Sequence, residues 1–238
     1  MKKAGISSLL AALCGLLPFC TRGQHESAQE HMHKSDFQEL VRRFESEERN
    51  EYQKPEEVMK RLDSIFRKRG ESTLSFASGW KGLKVADLGA GTGYFTFRMA
   101  REGASVLALD IDERCLDYIR SRPQYQTYKD RLQTRKVEPH SIGLAVGEVD
   151  LIFSVNVYHH IDNRVEYFRA ARKGLTDGGM LIIIDFKQGE MPVGPPENIK
   201  LSESQVMQEL KEAGFDVKVD HFLPYQNIYI GVKATPQP

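Results

Sequence analysis

Gly89, Gly91 and Gly93 stand at alternate positions in Val85-Ala86-Asp87-Leu88-Gly89-Ala90-Gly91-Thr92-Gly93-Tyr94-Phe95, and no other stretch constrains the fold as tightly. The apolar run 83–88 before the glycines reads as a strand, and 95–101 after them reads as a helix. Glycine permits a tight turn between the two and lets a ligand approach the backbone closely. A ligand held there meets the free N–H groups of a helix N-terminus.

The alternation of strand and helix continues downstream. Residues 105–109 read as a strand ending in Asp110, and 112–121 as a helix with Asp112 at its N-cap. A weak strand is expected at 132–137, a strong one at 149–155, and a helix at 164–175 stopped by Asp177-Gly178-Gly179. The strongest strand falls at 180–185, and a helix at 203–213 ends at Gly214. Strands at 215–219 and 228–232 have no helix between them and should pair as a hairpin. The pattern predicts an α/β, doubly wound, mostly parallel seven-stranded sheet over 76–233, with helices on both faces.

Upstream, Phe37, Leu40, Val41 and Phe44 fall at helical spacing. Val58, Leu62, Ile65 and Phe66 do so again after Pro55, which suits a first helical turn, and Gly70 suits a stop. This predicts a two-helix cap over 36–75. Lys+Arg and Asp+Glu both total 33, so no general basic field marks a nucleic-acid binder. Three cysteines exclude a disulfide-stapled scaffold, and Cys115 is expected inside a helix, buried. No metal-ligand spacing stands out.

Asp87 and Asp110 give the glycine loop its chemistry. A carboxylate at 110, ending the next strand, can accept hydrogen bonds from ribose hydroxyls. A dinucleotide site is the competing reading, but its G-x-G-x-x-G spacing requires glycine where Tyr94 stands. Asp87 would repel a pyrophosphate and attract an ammonium or sulfonium.

The run from Asp87 to Phe95 resembles motif I of class I S-adenosylmethionine-dependent methyltransferases, and the resemblance covers about residues 80–233. It implies a Rossmann-like methyltransferase fold and S-adenosyl-L-methionine as cofactor. Gly89, Ala90, Gly91 and Gly93 would flank the cofactor's methionine end and Asp87 would face its amino group. Asp110 would hold the ribose, with Ile111 against the adenine.

The stretch from Val149 to Ile161 is similar to the fourth-strand motif of the same family, and its Asn156-x-x-His159-His160 form to that of small-molecule methyltransferases, including the quinone C-methyltransferase group. Asn156 would sit near the methionine part of the cofactor. His159 or His160 can remove a proton from the acceptor, since histidine titrates near neutrality; either can instead cap or pack the next helix. Leu175-Thr176-Asp177-Gly178-Gly179 resembles the family's L-x-P-G-G turn, with Asp177 in the proline position. Asp185, at the end of the following strand, either faces substrate or binds a neighbouring backbone N–H.

Tyr52-Gln53-Lys54-Pro55, Gly194-Pro195-Pro196 and Phe222-Leu223-Pro224-Tyr225-Gln226 look like features of a bacterial methyltransferase-domain group that carries export signals. That group typically has tryptophan where Tyr52 stands. By analogy Tyr52 and the Gly-Pro-Pro loop would close over the cofactor; ordinary turn and packing chemistry is the other reading.

Lys2 and Lys3 precede an uncharged run over 4–19, the pattern of a secretory signal. The run is short for a spanning helix. Cys20 sits where a bacterial lipoprotein carries its lipid, with Leu17 in a fitting position and Phe19 in a poor one. Residues 21–35, with His25, His31 and His33, read as a polar linker, and 234–238 as a tail. The expected location is exported or periplasmic, with membrane attachment through the N-terminus; the alternative is cytoplasmic.

Taken together, the sequence predicts a methyltransferase acting on a small-molecule acceptor, with no nucleic-acid partner. The rival is a non-catalytic exported binding protein that keeps the fold. A dinucleotide oxidoreductase is disfavoured by Tyr94 and Asp87.

Overall fold

All seven residues of the strand Val149–Val155 (β4) are buried, as they must be in a strand covered on both faces. In the computed structural model, which describes residues 36–71 and 74–233, β4 is the centre of a seven-stranded sheet. The apolar run 4–19, Cys20, the linker histidines and the tail lie outside the described residues. The other strands are β1 (Lys84–Leu88), β2 (Ser105–Asp110), β3 (Leu132–Lys136), β5 (Leu175–Phe186), β6 (Phe215–Asp220) and β7 (Gln226–Lys233). Their order is β3-β2-β1-β4-β5-β7-β6. β7 runs antiparallel to both β5 and β6, and the remaining pairs are parallel. β1 lies between β2 and β4, so the winding reverses there and opens a crevice beyond the strand C-termini.

Side-chain alternation splits the core into two layers. Ile182 and Ile184 face a cluster with Val58, Leu62, Phe66, Trp80 and Phe95. Leu181 and Ile183 face the opposite cluster with Phe168, Val206 and Leu210. The helices are α1 (Phe37–Phe44), α2 (Glu47–Gln53), α3 (Pro55–Gly70), α4 (Thr96–Arg101), α5 (Glu113–Ser121), α6 (Pro123–Thr127), α7 (Arg164–Ala171) and α8 (Glu203–Glu212). Trp80 fastens α3 to the sheet. Its Nε1 donates to the Met59 carbonyl at 3.0 Å and its ring meets Phe66 edge-on at 4.8 Å. Burying a side chain of this size contributes about 3 kcal/mol.

Two expectations are corrected. The cap has three helices, because the first one expected breaks at Glu45 and Ser46 begins α2, its side chain accepting from the Arg49 N–H at 3.2 Å. Lys54 then takes a left-handed conformation, and Pro55 opens α3 as expected. Asp177-Gly178-Gly179 is not a turn after a helix. It lies inside β5, where the register with β4 shifts between Val149↔Leu175 and Leu151↔Met180. α7 ends at Ala171, followed by a 3-10 turn over Arg172–Gly174, and the extra residues form a bulge with Gly178 at φ +76°. The Asp112 cap, buried Cys115 and the β6–β7 pairing match the sequence reading. No helix among the described residues is long and apolar enough to cross a membrane.

Candidate active site

The glycine loop leaves β1 and enters α4 with φ of +73° at Gly89, +54° at Gly91 and +84° at Gly93, a region that costs other residues energy. A Cβ on Gly89 would lie 2.3 Å from Val157 Cγ2, so the segment after β4 presses directly on the loop. The Gly89 and Ala90 N–H groups donate to the Leu109 carbonyl at 2.9 and 3.0 Å. Asp110 accepts from the Gly91 N–H at 2.8 Å through one oxygen and from the Asp112 N–H at 2.9 Å through the other. It therefore fixes the loop as well as its own turn. Burial raises its pKa and the backbone donors oppose that rise. Ile111 is half-buried beside it, packed on the α7 side of the sheet.

Asp87 is 3% exposed and accepts from the Thr96 hydroxyl. Burial pushes its carboxyl up to about 7; the Thr96 hydrogen bond opposes this, Asp110 adds to it and Arg49 opposes it. Among the described residues Asp87 has no ion pair, although a buried carboxylate is stable as an anion only with a cation nearby. An ammonium or sulfonium is the chemistry that completes it. Nearby, the buried Thr92 hydroxyl has no hydrogen-bond partner among the described residues. The methionine end of S-adenosylmethionine fits this loop on those grounds.

A line of side chains ties the cap to the end of β4. Arg49 Nε donates to Gln53 Oε1 at 2.7 Å, Gln53 Nε2 to Gln226 Oε1 at 2.8 Å, and Gln226 Nε2 to Asn156 Oδ1. Gln53 and Gln226 are fully buried. Asn156 is left-handed at φ +61°, and its N–H donates to the Ile184 carbonyl at 2.9 Å. Tyr52 and Gly194 meet on the Phe186 ring, and Tyr225 reaches it through Tyr52. Tyr52 packs on Phe186 at 5.9 Å and on Tyr225 at 6.4 Å, and a Cβ on Gly194 would lie 2.6 Å from the Phe186 ring.

His159 and His160 follow β4 in the 3-10 turn Tyr158–His160, with their rings 4.0 Å apart. Asp185 Oδ1 lies 2.7 Å from His159 Nδ1, and Asp185 also accepts the N–H groups of His159 and Phe186. Both alternatives for Asp185 are thus partly met: it binds backbone N–H groups and also holds a histidine ring. His160 is pushed down to about 4 by burial, by His159 and by Arg43, against the opposing charge of Asp185. It is neutral at pH 7, and its Nδ1 is buried with no partner among the described residues. Tyr158 points away, its hydroxyl donating to Glu209, which Arg164 also holds.

The structure thus gathers Asp87, the glycines, Asp110, Asn156, His159, His160 and Asp185 at the strand C-termini. Tyr52 joins them through Phe186. Sequence reasoning missed Arg49, Thr96 and the pairing of Gln53 with Gln226. The two glutamines lay within motifs already singled out; nothing local indicated that they meet.

A family model for a methyltransferase domain matches residues 80–227. The ubiquinone biosynthesis O-methyltransferase of Roseobacter denitrificans is 28% identical over 103 residues, covering 43% of this chain and 41% of that protein. The demethylmenaquinone methyltransferase of Tropheryma whipplei is 30% identical over 115 residues, covering 48% of this chain and 46% of that protein. The chain therefore spans less than half the length of these two curated relatives. A crystal structure of an S-adenosylmethionine-dependent methyltransferase from Aquifex aeolicus superposes with a TM-score of 0.70 at 24% identity, covering 84% of this chain and all of that one, a likeness of fold. With the matched region spanning every strand from β1 to the start of β7, the chain belongs to the methyltransferase-domain family, whose cofactor S-adenosylmethionine suits the buried anion at Asp87 and the glycine loop.

Proposed function

We propose that the chain methylates a small-molecule acceptor that carries a proton on its attacking atom, with His159 taking that proton. The observation that carries this reading is the contact between Asp185 and His159 Nδ1, 2.7 Å long, at the C-terminal ends of β4 and β5. S-adenosylmethionine supplies a methyl group activated on a sulfonium. Asp87 binds its ammonium, Asp110 its ribose, and the glycine loop lets it approach the backbone. The Asp185 carboxylate is a hydrogen-bond acceptor, so it favours the tautomer with the proton on His159 Nδ1 and leaves Nε2 as the basic atom. His160 stays neutral and is no base at pH 7. Asn156, held by Gln226, orders the segment that presses on Gly89. Tyr52, Phe186 and Tyr225 keep water from the reacting atoms, and transfer then needs mainly alignment. The names of the quinone-related relatives support a small acceptor, and the zero net charge provides no general basic field for a nucleic acid.

Lys2, Lys3 and the apolar run support an exported or periplasmic location, with membrane attachment through the N-terminus. The same signal supports the second reading, an exported binding protein that keeps the fold without turnover. Calorimetric titration of the full chain with S-adenosylmethionine, beside Asp110→Ala, tests the cofactor site. Micromolar binding that the variant weakens at least tenfold, about 1.4 kcal/mol, is the expected result. Methyl transfer to a panel of quinols and phenols then separates enzyme from binding protein. A folded chain that binds no cofactor overturns the proposal.

A further inference from the structure

Arg43 is an exposed guanidinium with neither an ion pair nor a hydrogen bond among the described residues. Other arginines that meet the cap are paired: Arg98 and Arg101 with Glu56, and Arg61 with Asp220. Arg43 stands in the last turn of α1, its guanidinium carbon 5.4 Å from the centroid of the Phe44 ring. That ring lies 3.5 Å from where a Cβ on Gly91 would stand, so α1 ends over the glycine loop. On the acceptor side, His160 follows β4 with its ring 4.0 Å from His159, and Tyr52 belongs to α2.

The charge of Arg43 reaches both of these groups. Burial, then His159 and Arg43, lower the pKa of His160 against the charge of Asp185. Burial raises that of Tyr52, which Arg49 and Arg43 oppose and Glu48 reinforces. Of the carboxylates in this region, Asp185 is engaged by the His159 ring and by two backbone N–H groups, and Glu48 is exposed on α2. The acceptor end of the crevice therefore holds a cation that no described carboxylate answers. Tyr52 also packs with Phe186 and Tyr225, an aromatic group suited to a flat ring.

We infer that the methyl acceptor is an aromatic acid, its carboxylate held by Arg43 while its hydroxyl meets His159; this rests on the methyltransferase reading above. The planar fork of arginine suits a carboxylate through two parallel N–H donors. The carboxylate does not react. Its charge decides which end of the ring is turned toward His159, and α1 thereby selects the acceptor through a residue outside the matched family region.

The test uses 2-, 3- and 4-hydroxybenzoate, each beside its uncharged amide, so that the carboxylate is stepped around the ring. Calorimetry at neutral pH measures their binding to the full chain saturated with S-adenosylhomocysteine, which permits no turnover. The best-bound acid is expected to beat its amide by at least about tenfold in wild type. The preference is expected to fall below about threefold in Arg43→Gln and to an intermediate value in Arg43→Lys, which keeps the charge and loses the fork. Arg42→Gln removes the same charge one position away and is expected to keep the wild-type preference. Equal binding of acid and amide by wild type overturns the inference, as does a preference that survives in Arg43→Gln or is lost equally in Arg42→Gln. Should Arg43→Gln not fold, an undiminished preference in Arg43→Lys overturns it. A loaded chain that binds none of the six probes also overturns it. A folded chain that takes up neither S-adenosylhomocysteine nor S-adenosylmethionine removes the methyltransferase reading, and this inference with it; the other failures remove this inference alone.

Discussion

Asp185 touches His159 twice, lying 2.7 Å from its ring Nδ1 and accepting its backbone N–H at 3.0 Å. The same carboxylate accepts the Phe186 N–H, so ring, turn and strand end are held by one group. The ring is thereby fixed in position and in tautomer. His159→Gln is expected to lower kcat by about 10²–10⁴, with cofactor affinity unchanged within twofold. Asp185→Asn is expected to lower kcat by at least about tenfold, again without loss of cofactor binding, since the amide carries no charge to stabilise the protonated ring and its NH2 faces an N–H donor whichever way it turns. Single-turnover kinetics beside calorimetry reads both effects. A variant that loses binding and rate together would assign the pair a structural role only.

Asp87 gives cofactor binding a pH dependence. With its carboxyl at about 7, the ionised fraction rises from about a tenth at pH 6 to about three quarters at pH 7.5. Cofactor affinity is expected to rise about five- to sixfold over that interval, because the ligand's own α-amine, with a pKa of about 7.7–8.0, is already partly deprotonated at pH 7.5. Asp87→Asn should bind weakly and without this slope. For the free protein the sign reverses. The folded carboxyl holds its proton between about pH 4 and 7 while the unfolded one has lost it, so stability falls as pH rises through that window. Urea midpoints at pH 5 and 7, with and without cofactor, check both slopes.

Gly89→Ala meets two obstacles at once. Its φ of +73° disfavours any side chain by about 1–2 kcal/mol, and its Cβ would stand 2.3 Å from Val157 Cγ2. Overpacking of this kind adds about 1–3 kcal/mol. Chemical denaturation should show the sum, and adding Val157→Ala should return only the steric part. Full additivity of the two changes would mean that the loop moves away from Val157 freely.

Gln226→Leu strips partners from the buried amide of Gln53 and the half-buried amide of Asn156. Each orphaned group costs about 1–3 kcal/mol, so the urea midpoint should fall clearly. Cofactor affinity should fall with it, because Asn156 and the cap lose their common support. A variant equal to wild type in both would show that the line of amides carries little.

The parts legible in the sequence are those whose causes are local. Asp112 caps a helix two residues away, the glycines must turn where they stand, and the apolar runs of β1, β4 and β5 follow from burial on both faces. Asp177-Gly178-Gly179 misled because glycine signals a turn and a bulge alike, and only pairing with β4 distinguishes them. α2 went unread because the apolar spacing that marks the cap helices stops at Phe44 and resumes at Val58, and the seven residues of α2 carry no such stripe. Gln53 and Gln226 stand 173 positions apart, and no local pattern reports a contact of that span. Arg49 was invisible for a related reason: its contacts with Gln53 and the Tyr94 ring are made only once the cap has folded against the loop.

β7 pairs with β5 on one side and β6 on the other, although it is the last strand in chain order. During synthesis, β5 is complete 40 residues before Gln226 appears, an interval of about 2–8 s at ribosomal rates. For that time the β5 edge is open, and an open apolar edge invites pairing with other chains. Gln226, at the head of β7, is also the residue that joins Asn156 to the cap. Biosynthetic timing therefore separates the two halves of the crevice: the glycine loop can form early, while the acceptor side becomes whole only after residue 226 has been made.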